Sequence, residues 1–158
     1  MAQHLVNMGA LPALSSLRVP SPRDVLRIGI VAAAGFRYSP LFRWERPYHE
    51  KFPDDTLLSY RSQFMSAMKS DDFIVLIAED DYLPDENTNT TAIIPPNNGW
   101  EPPDAGEKVI VGIISVKLDL HSPHKGQLKN HEGTELWRVL HGPNLCTLTS
   151  IRHVPHTP

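Results

Sequence analysis

The chain has 158 residues, of which 41% are hydrophobic, a length and composition that fit one domain able to bury a core. Its net charge is −3 with a pI of 6.2 and no basic stripe, which gives no electrostatic ground for nucleic-acid binding. One cysteine, Cys146, excludes a disulfide within the chain, and the opening MAQHLVNMGALPAL has neither the basic start nor the unbroken apolar run of a signal peptide or membrane span. These features lead to the expectation of a cytoplasmic protein that binds no membrane.

In chain order, residues 1–16 read as a flexible tail. Leu17-Arg18-Val19 precedes Pro20 and reads as a short edge strand, where a proline is tolerated. A helix start follows, with Ser21 as cap, Pro22 in the first helical position and Asp24 near the positive end of the dipole. Val25, Leu26, Ile28, Val31, Ala32 and Phe36 fall at helical spacing, and Gly35 is the expected stop.

Residues 37–53 (RYSPLFRWERPYHEKFP) are dense in aromatic and basic side chains and broken by three prolines. A functional reading makes this a substrate-side loop, with Trp44, Arg46 and Tyr48 lining a cleft. The simpler reading, which ordinary aromatic packing favours, is a connector whose rings rest on nearby helices. Asp54 and Asp55 are expected to cap a second helix ending near Lys69, with Leu57, Tyr60, Phe64 and Met68 on its apolar stripe and Leu58 and Met65 beside it.

Two runs, Phe73–Ala78 (FIVLIA) and Val109–Leu118 (VIVGIISVKL), are β-branched and apolar on both faces, as in a strand buried inside a sheet. Glu79-Asp80-Asp81 reads as a solvated strand end, since its spacing fits no cation loop. Residues 82–108 hold five prolines and the turn signal Asn98-Gly99, have no periodicity, and read as a flexible insertion in a hairpin with Trp100 as its large anchor. Gly112 inside the second run predicts either a bulge or a ligand passing close over the backbone.

Residues 119–158 read as an irregular C-terminal tail. His121 and His124 are separated by a proline, and no Cys/His set at zinc spacing completes them, so no metal site is expected. Cys146 with His141 or His153 is a nominal nucleophile–base pair that nothing in the sequence orients. Thr134–Leu140 has the pattern of one or two helical turns, and Asn89-Thr90-Thr91 is a glycosylation sequon only in a secreted protein.

The resulting order is strand, helix, helix, strand, long hairpin loop, strand. With LRVPSPRD, RWERPYHEKFPDD, FIVLIAEDD and EKVIVGIISVKL in those places, residues 17–118 resemble the N-terminal half of a GNAT superfamily N-acetyltransferase of the fungal GNAT-like type. The resemblance implies an α+β fold of the α/β sandwich type, acetyl-CoA as cofactor and an amine as acceptor. It also implies a next motif, Q/R-x-x-G-x-G/A at a helix start, whose backbone N–H groups hold the pyrophosphate. Residues 119–158 contain no match to it, and no tyrosine follows Tyr82 to protonate a leaving thiolate. The expectation is therefore a truncated acetyltransferase, inactive as written and without assigned catalytic residues; the alternative is a non-catalytic binding or regulatory module completed by a partner chain.

Without a fourth strand, Val109–Leu118 is expected to be an apolar edge open to self-association or partner pairing. Each large apolar side chain left in water forfeits about 1.5–3 kcal/mol, against a total stability of about 5–15 kcal/mol for a small domain.

Overall fold

The structure is a computed structural model that describes residues 16–88 and 90–129. The residues 1–15, Asn89 of the sequon, Thr134–Leu140, His131, His141, Cys146 and His153 lie outside the described residues. The class is α+β, with helices packed on a three-stranded antiparallel sheet, consistent with the partial fold expected. The elements are β1 (Leu17–Arg18), a 3-10 turn (Pro22–Asp24), α1 (Val25–Phe36), α2 (Phe42–Glu45), α3 (Pro53–Lys69), β2 (Phe73–Asp81) and β3 (Lys108–Lys117). The strand order is β1-β2-β3, with β2 central.

The start of α1 is built as its sequence dictates. The Ser21 N–H and hydroxyl both donate to Asp24 Oδ2, at 2.5 and 3.0 Å, and Pro22 is buried. Asp24 also receives Arg18 through two hydrogen bonds, and Arg18 reaches on to Glu79 at 2.8 Å, tying β1, α1 and β2 together. Burial pushes the Asp24 carboxyl up, but its bonds from Arg18 and Ser21 outweigh that and hold it below the usual carboxylate range.

The faces of the helices differ from expectation in identifiable places. On α1 the buried side chains are Val25, Arg27, Ile28, Ile30, Ala32 and Ala33. Phe36, expected inside, is 44% exposed, although its ring stacks on Tyr60 at 5.5 Å. Gly35 does not stop α1, which runs on to Phe36 with no left-handed residue there. A glycine is required instead at Gly29, where a Cβ would lie 2.6 Å from Arg61 Cγ. Across that contact the Arg61 guanidinium donates to the Leu26 carbonyl at 3.1 Å, joining α3 to α1.

On α3, Thr56, Leu57, Tyr60, Phe64, Met65 and Ala67 are buried. Leu58, one residue off this stripe, is 60% exposed rather than beside the core. The helix begins at Pro53, so Asp54 and Asp55 sit in its first turn instead of capping it, still at the favourable end of the dipole.

The core lies between this helix layer and one face of the sheet. Val75 and Ile77 of β2 point into it, with Ile28, Ile30, Leu57, Tyr60, Phe64 and Ile110. Because side chains alternate along a strand, Ile74 and Leu76 lie on the opposite face, together with their cross-strand partners Val116 and Ile114. Ile114 is 55% and Val116 44% exposed. The expectation that both central runs are buried on both faces is therefore corrected. The helices cover one face only, and among the described residues β3 pairs with β2 alone.

The β2–β3 register slips once. Ala78 faces Gly112 while Glu79 faces Ile110, so Val111 is the extra residue of a bulge. That is the bulge signalled by Gly112. Beyond it the hairpin continues, with the Tyr82 N–H donating to Glu107 and Gly106 to Tyr82. Asn98-Gly99 forms a turn with Gly99 at φ +82°, as its sequence predicts.

Trp100 is not alone in holding the 82–108 connector. Tyr82 is buried with its ring edge-on to Trp100 at 6.0 Å, Ala92 is buried, and Ile94 packs against the core. After β3 the chain turns back on the start of β2. Leu118 donates to the Asp72 carbonyl, Gly126 to the Asp71 carbonyl, and Lys125 and Lys129 pair with Asp72 and Asp71, each at 2.6 Å. No helix among the described residues is long and apolar enough to cross a membrane.

Candidate functional site

A cleft of about 640 Å³ opens where the β3 bulge meets the second half of α1. Ile30, Val31, Ala34 and Gly35 form one wall, and Val111, Gly112 and Ile113 the other. Phe36 and Tyr38 stand at one end; Glu86, Asn87 and Thr90 of the connector bring polar groups to its lining. The bulge bends β3 at this place, and Gly112 is among the residues that line the opening. Of the two alternatives raised by Gly112, the structure shows the bulge, and the same residue lines a cleft.

Arg27 anchors the cleft from below. It is 5% exposed, and its Nε donates to the Ile110 carbonyl at 2.9 Å. Its two terminal nitrogens grip Glu86 at 2.5 and 2.7 Å, and the guanidinium carbon lies 4.5 Å from the centre of the Trp100 ring. One side chain thus joins α1, β3 and two points of the connector, with the planar, bidentate geometry that suits arginine. Sequence reasoning missed this residue. Its only local signal is a charge set inside an otherwise apolar helix, and its partner Glu86 lies 59 residues away.

A second cleft of about 190 Å³ lies beside α2, lined by Arg46, Tyr48, His49, Phe52, Asp55 and Thr56 among others. Two of the three substrate-side residues expected from sequence, Arg46 and Tyr48, are brought together here. Trp44 does not line this cleft and is 82% exposed. Arg46 stacks its guanidinium 4.9 Å from the Tyr60 ring, while its Nε is buried without a hydrogen-bond partner. Burial, only partly offset by the Arg46 charge, raises the Tyr60 phenol above its ordinary range, so it stays protonated near neutral pH. Tyr60 touches both clefts' surroundings, since Phe36 of the larger one stacks on it.

The segment that holds Arg46 and Tyr48 is not a bare connector. It contains α2, whose Phe42 is 1% exposed and meets His49 edge-on at 5.0 Å. His49 is itself buried. The Ile93 N–H donates to its Nε2 at 3.3 Å, so the proton of the neutral ring sits on Nδ1, which donates to Thr56 Oγ1 at 3.2 Å. This imidazole therefore pins the connector to the start of α3. Burial, and after it the Arg37 charge, push His49 below the usual imidazole range, with Glu50 opposing.

That shift fixes a pH dependence. An unfolded histidine takes up a proton near pH 6.5, whereas folded His49 resists it, so the unfolded state binds more protons as pH falls. The contribution of His49 to stability is complete above about pH 6.5 and is lost as pH drops towards its folded value. In urea unfolding measured across this window, His49→Gln is expected to flatten the slope of stability with pH.

Acetyl-CoA does not fit the described residues. Its pyrophosphate needs a glycine-rich turn leading into a helix N-terminus with open N–H groups. The start of α1 is occupied by Asp24 and Pro22, and the first turn of α3 carries Pro53, Asp54 and Asp55. The left-handed glycines, Gly99, Gly106 and Gly126, lie in turns that lead into no helix among the described residues.

Among known proteins, the chain is similar to one named Acetyltransferase from Stachybotrys chartarum (strain CBS 109288 / IBT 7711), with 28% identity over 116 residues. That match takes in 73% of this chain, and it spans 41% of the relative's own length. No family model matches the chain. No solved structure matches it either.

Proposed function

We propose that this chain forms part of a GNAT-type N-acetyltransferase and contributes the amine-acceptor side rather than the acetyl-CoA pyrophosphate site. The observation that carries this reading is the similarity to the fungal acetyltransferase, which runs across most of this chain and less than half of that protein. The order of elements and the cleft at the bulge support it. Ile30, Val31 and Ile113 offer apolar walls to the carbon skeleton of an acceptor, and Glu86, Asn87 and Thr90 offer polar contacts to its amine. Arg46 and Tyr48 extend the acceptor side through the smaller cleft, and Trp44 stands exposed on the same segment. The chemistry of the class moves an acetyl group from acetyl-CoA to an amine; this chain's share is to shape the acceptor's approach.

Amide NMR shifts recorded while the chain is titrated with phenethylamine test the placement. The expected result is saturable movement of Val111, Gly112 and Tyr38. Movement confined to other regions, or none, overturns it.

The second reading, a non-catalytic module completed by a partner chain, is favoured by one observation, that the outer edge of β3 has no strand partner among the described residues.

A further inference from the structure

We propose that the 82–108 connector forms a binding site of its own, beside the cleft at the bulge, for an uncharged ring that carries a hydroxyl or carbonyl oxygen. A third cleft, of about 350 Å³, lies where the connector meets Ile30 of α1. That volume falls in the range of about 300–1,000 Å³ usual for small-molecule sites. The cleft shares Ile30, Asn87 and Thr90 with the one at the bulge, so the two adjoin. Its other walls include Tyr82, Ile94, Trp100 and the prolines Pro95 and Pro96.

Tyr82 supplies the observation that points to a ligand. It is 9% exposed, yet its hydroxyl makes no hydrogen bond among the described residues. A phenol set so deeply normally has a partner. The hydroxyl is not sealed off, and Tyr82 lines the cleft, so a molecule seated there meets a free donor. The Asn87 side-chain amide, at the border of the two clefts, is likewise unpartnered among the described residues. Thr90 Oγ1 accepts the Ala92 N–H at 3.1 Å and keeps its own proton to donate. Asn98 is committed to the wall instead. Its Nδ2 donates to the Pro95 carbonyl at 2.8 Å and its Oδ1 accepts the Trp100 N–H at 3.1 Å, which shapes that side before a ligand arrives.

Charge decides the class of ligand. Among the described residues no Asp, Glu, Lys, Arg or His lines this cleft. Arg27 stands 4.5 Å from the Trp100 ring centre, but its nitrogens are taken by Glu86 and the Ile110 carbonyl. An ionised group on a ligand would lose water here and meet no opposite charge, which is costly. A neutral oxygen instead accepts from the Tyr82 hydroxyl, while the apolar body rests on Ile30, Ile94 and Trp100. The prolines and Trp100 are rigid surfaces, and a rigid ring gives up little conformational freedom in settling against them.

Amide NMR of the full chain titrated with phenol, benzoate and benzylamine tests this, the three presenting one ring that is neutral, anionic or cationic near neutral pH. The expected result is saturable movement of Tyr82, Ala92 and Trp100 with phenol, and binding at these residues about tenfold weaker or less for both charged rings. Tyr82→Phe keeps the ring and removes a hydroxyl that holds nothing among the described residues. The variant is expected to unfold in urea at the same midpoint as the parent while binding phenol about fivefold more weakly. No saturable movement of these residues with phenol overturns the proposal. Equal binding of either charged ring at these residues overturns it as well, as does a Tyr82→Phe variant that binds phenol as the parent does.

Discussion

Arg27→Met is expected to cost about 3 kcal/mol of folding stability, towards the low end of the range for breaking a buried ion pair, because Glu86 keeps some contact with water. The substitution preserves much of the side chain's volume but leaves the Glu86 carboxylate, 20% exposed, without its bidentate partner. It also removes the Arg27 hydrogen bond to the Ile110 carbonyl beside the bulge and the cation from the Trp100 face. Losses of this size consume a large part of the 5–15 kcal/mol that a domain has, by the usual scale. Urea unfolding of the variant measures it. Glu86→Gln should cost less, because Gln still offers the guanidinium one acceptor oxygen. The two substitutions together should cost less than the sum of their separate effects, which is the signature of a direct pair.

Phe42→Ala is expected to cost about 3–5 kcal/mol, the range for removing a buried aromatic ring. Phe42 is among the most deeply buried side chains in the molecule, yet it comes from a helix of four residues. Its ring supports His49 edge-on and lies 5.3 Å from the Arg37 guanidinium. Without it α2 has nothing to hold it on the core, and the cleft that gathers Arg46 and Tyr48 opens. The variant should therefore show both a lower denaturation midpoint and changed environments for Tyr48 and His49 by NMR. Trp44→Ala, at a ring exposed to solvent, serves as the contrasting control with an effect near zero.

The elements were legible in the sequence because their signals are local. The Ser-Pro-x-Asp start of α1, the β-branched runs of β2 and β3, the Asn98-Gly99 turn and the Gly112 bulge each follow from a few adjacent residues. The faces were less legible. Phe36 and Leu58 match a helical stripe, but which way a stripe turns depends on what packs against it, and here both are pushed towards solvent. The runs of β2 and β3 read as buried on both sides because they are apolar on both sides; a sequence does not say whether the second layer is present. Arg27 was passed over for the opposite reason. Its charge argues for a surface position, and only the tertiary meeting with Glu86, Trp100 and Ile110 makes it a buried hub. Of the expected substrate-side residues, Arg46 and Tyr48 share a cleft because a proline- and aromatic-rich stretch folds around Phe42. That ring looks no different in sequence from the exposed Trp44 beside it.

The proposed function assigns an acceptor side to this chain and places the acetyl-CoA pyrophosphate elsewhere, since the starts of α1 and α3 offer no cradle for it. Calorimetric titration of the folded 158-residue chain with acetyl-CoA tests that separation directly. The account predicts no saturable heat. Heat that saturates at micromolar acetyl-CoA would contradict it, because the pyrophosphate would then be held within this chain.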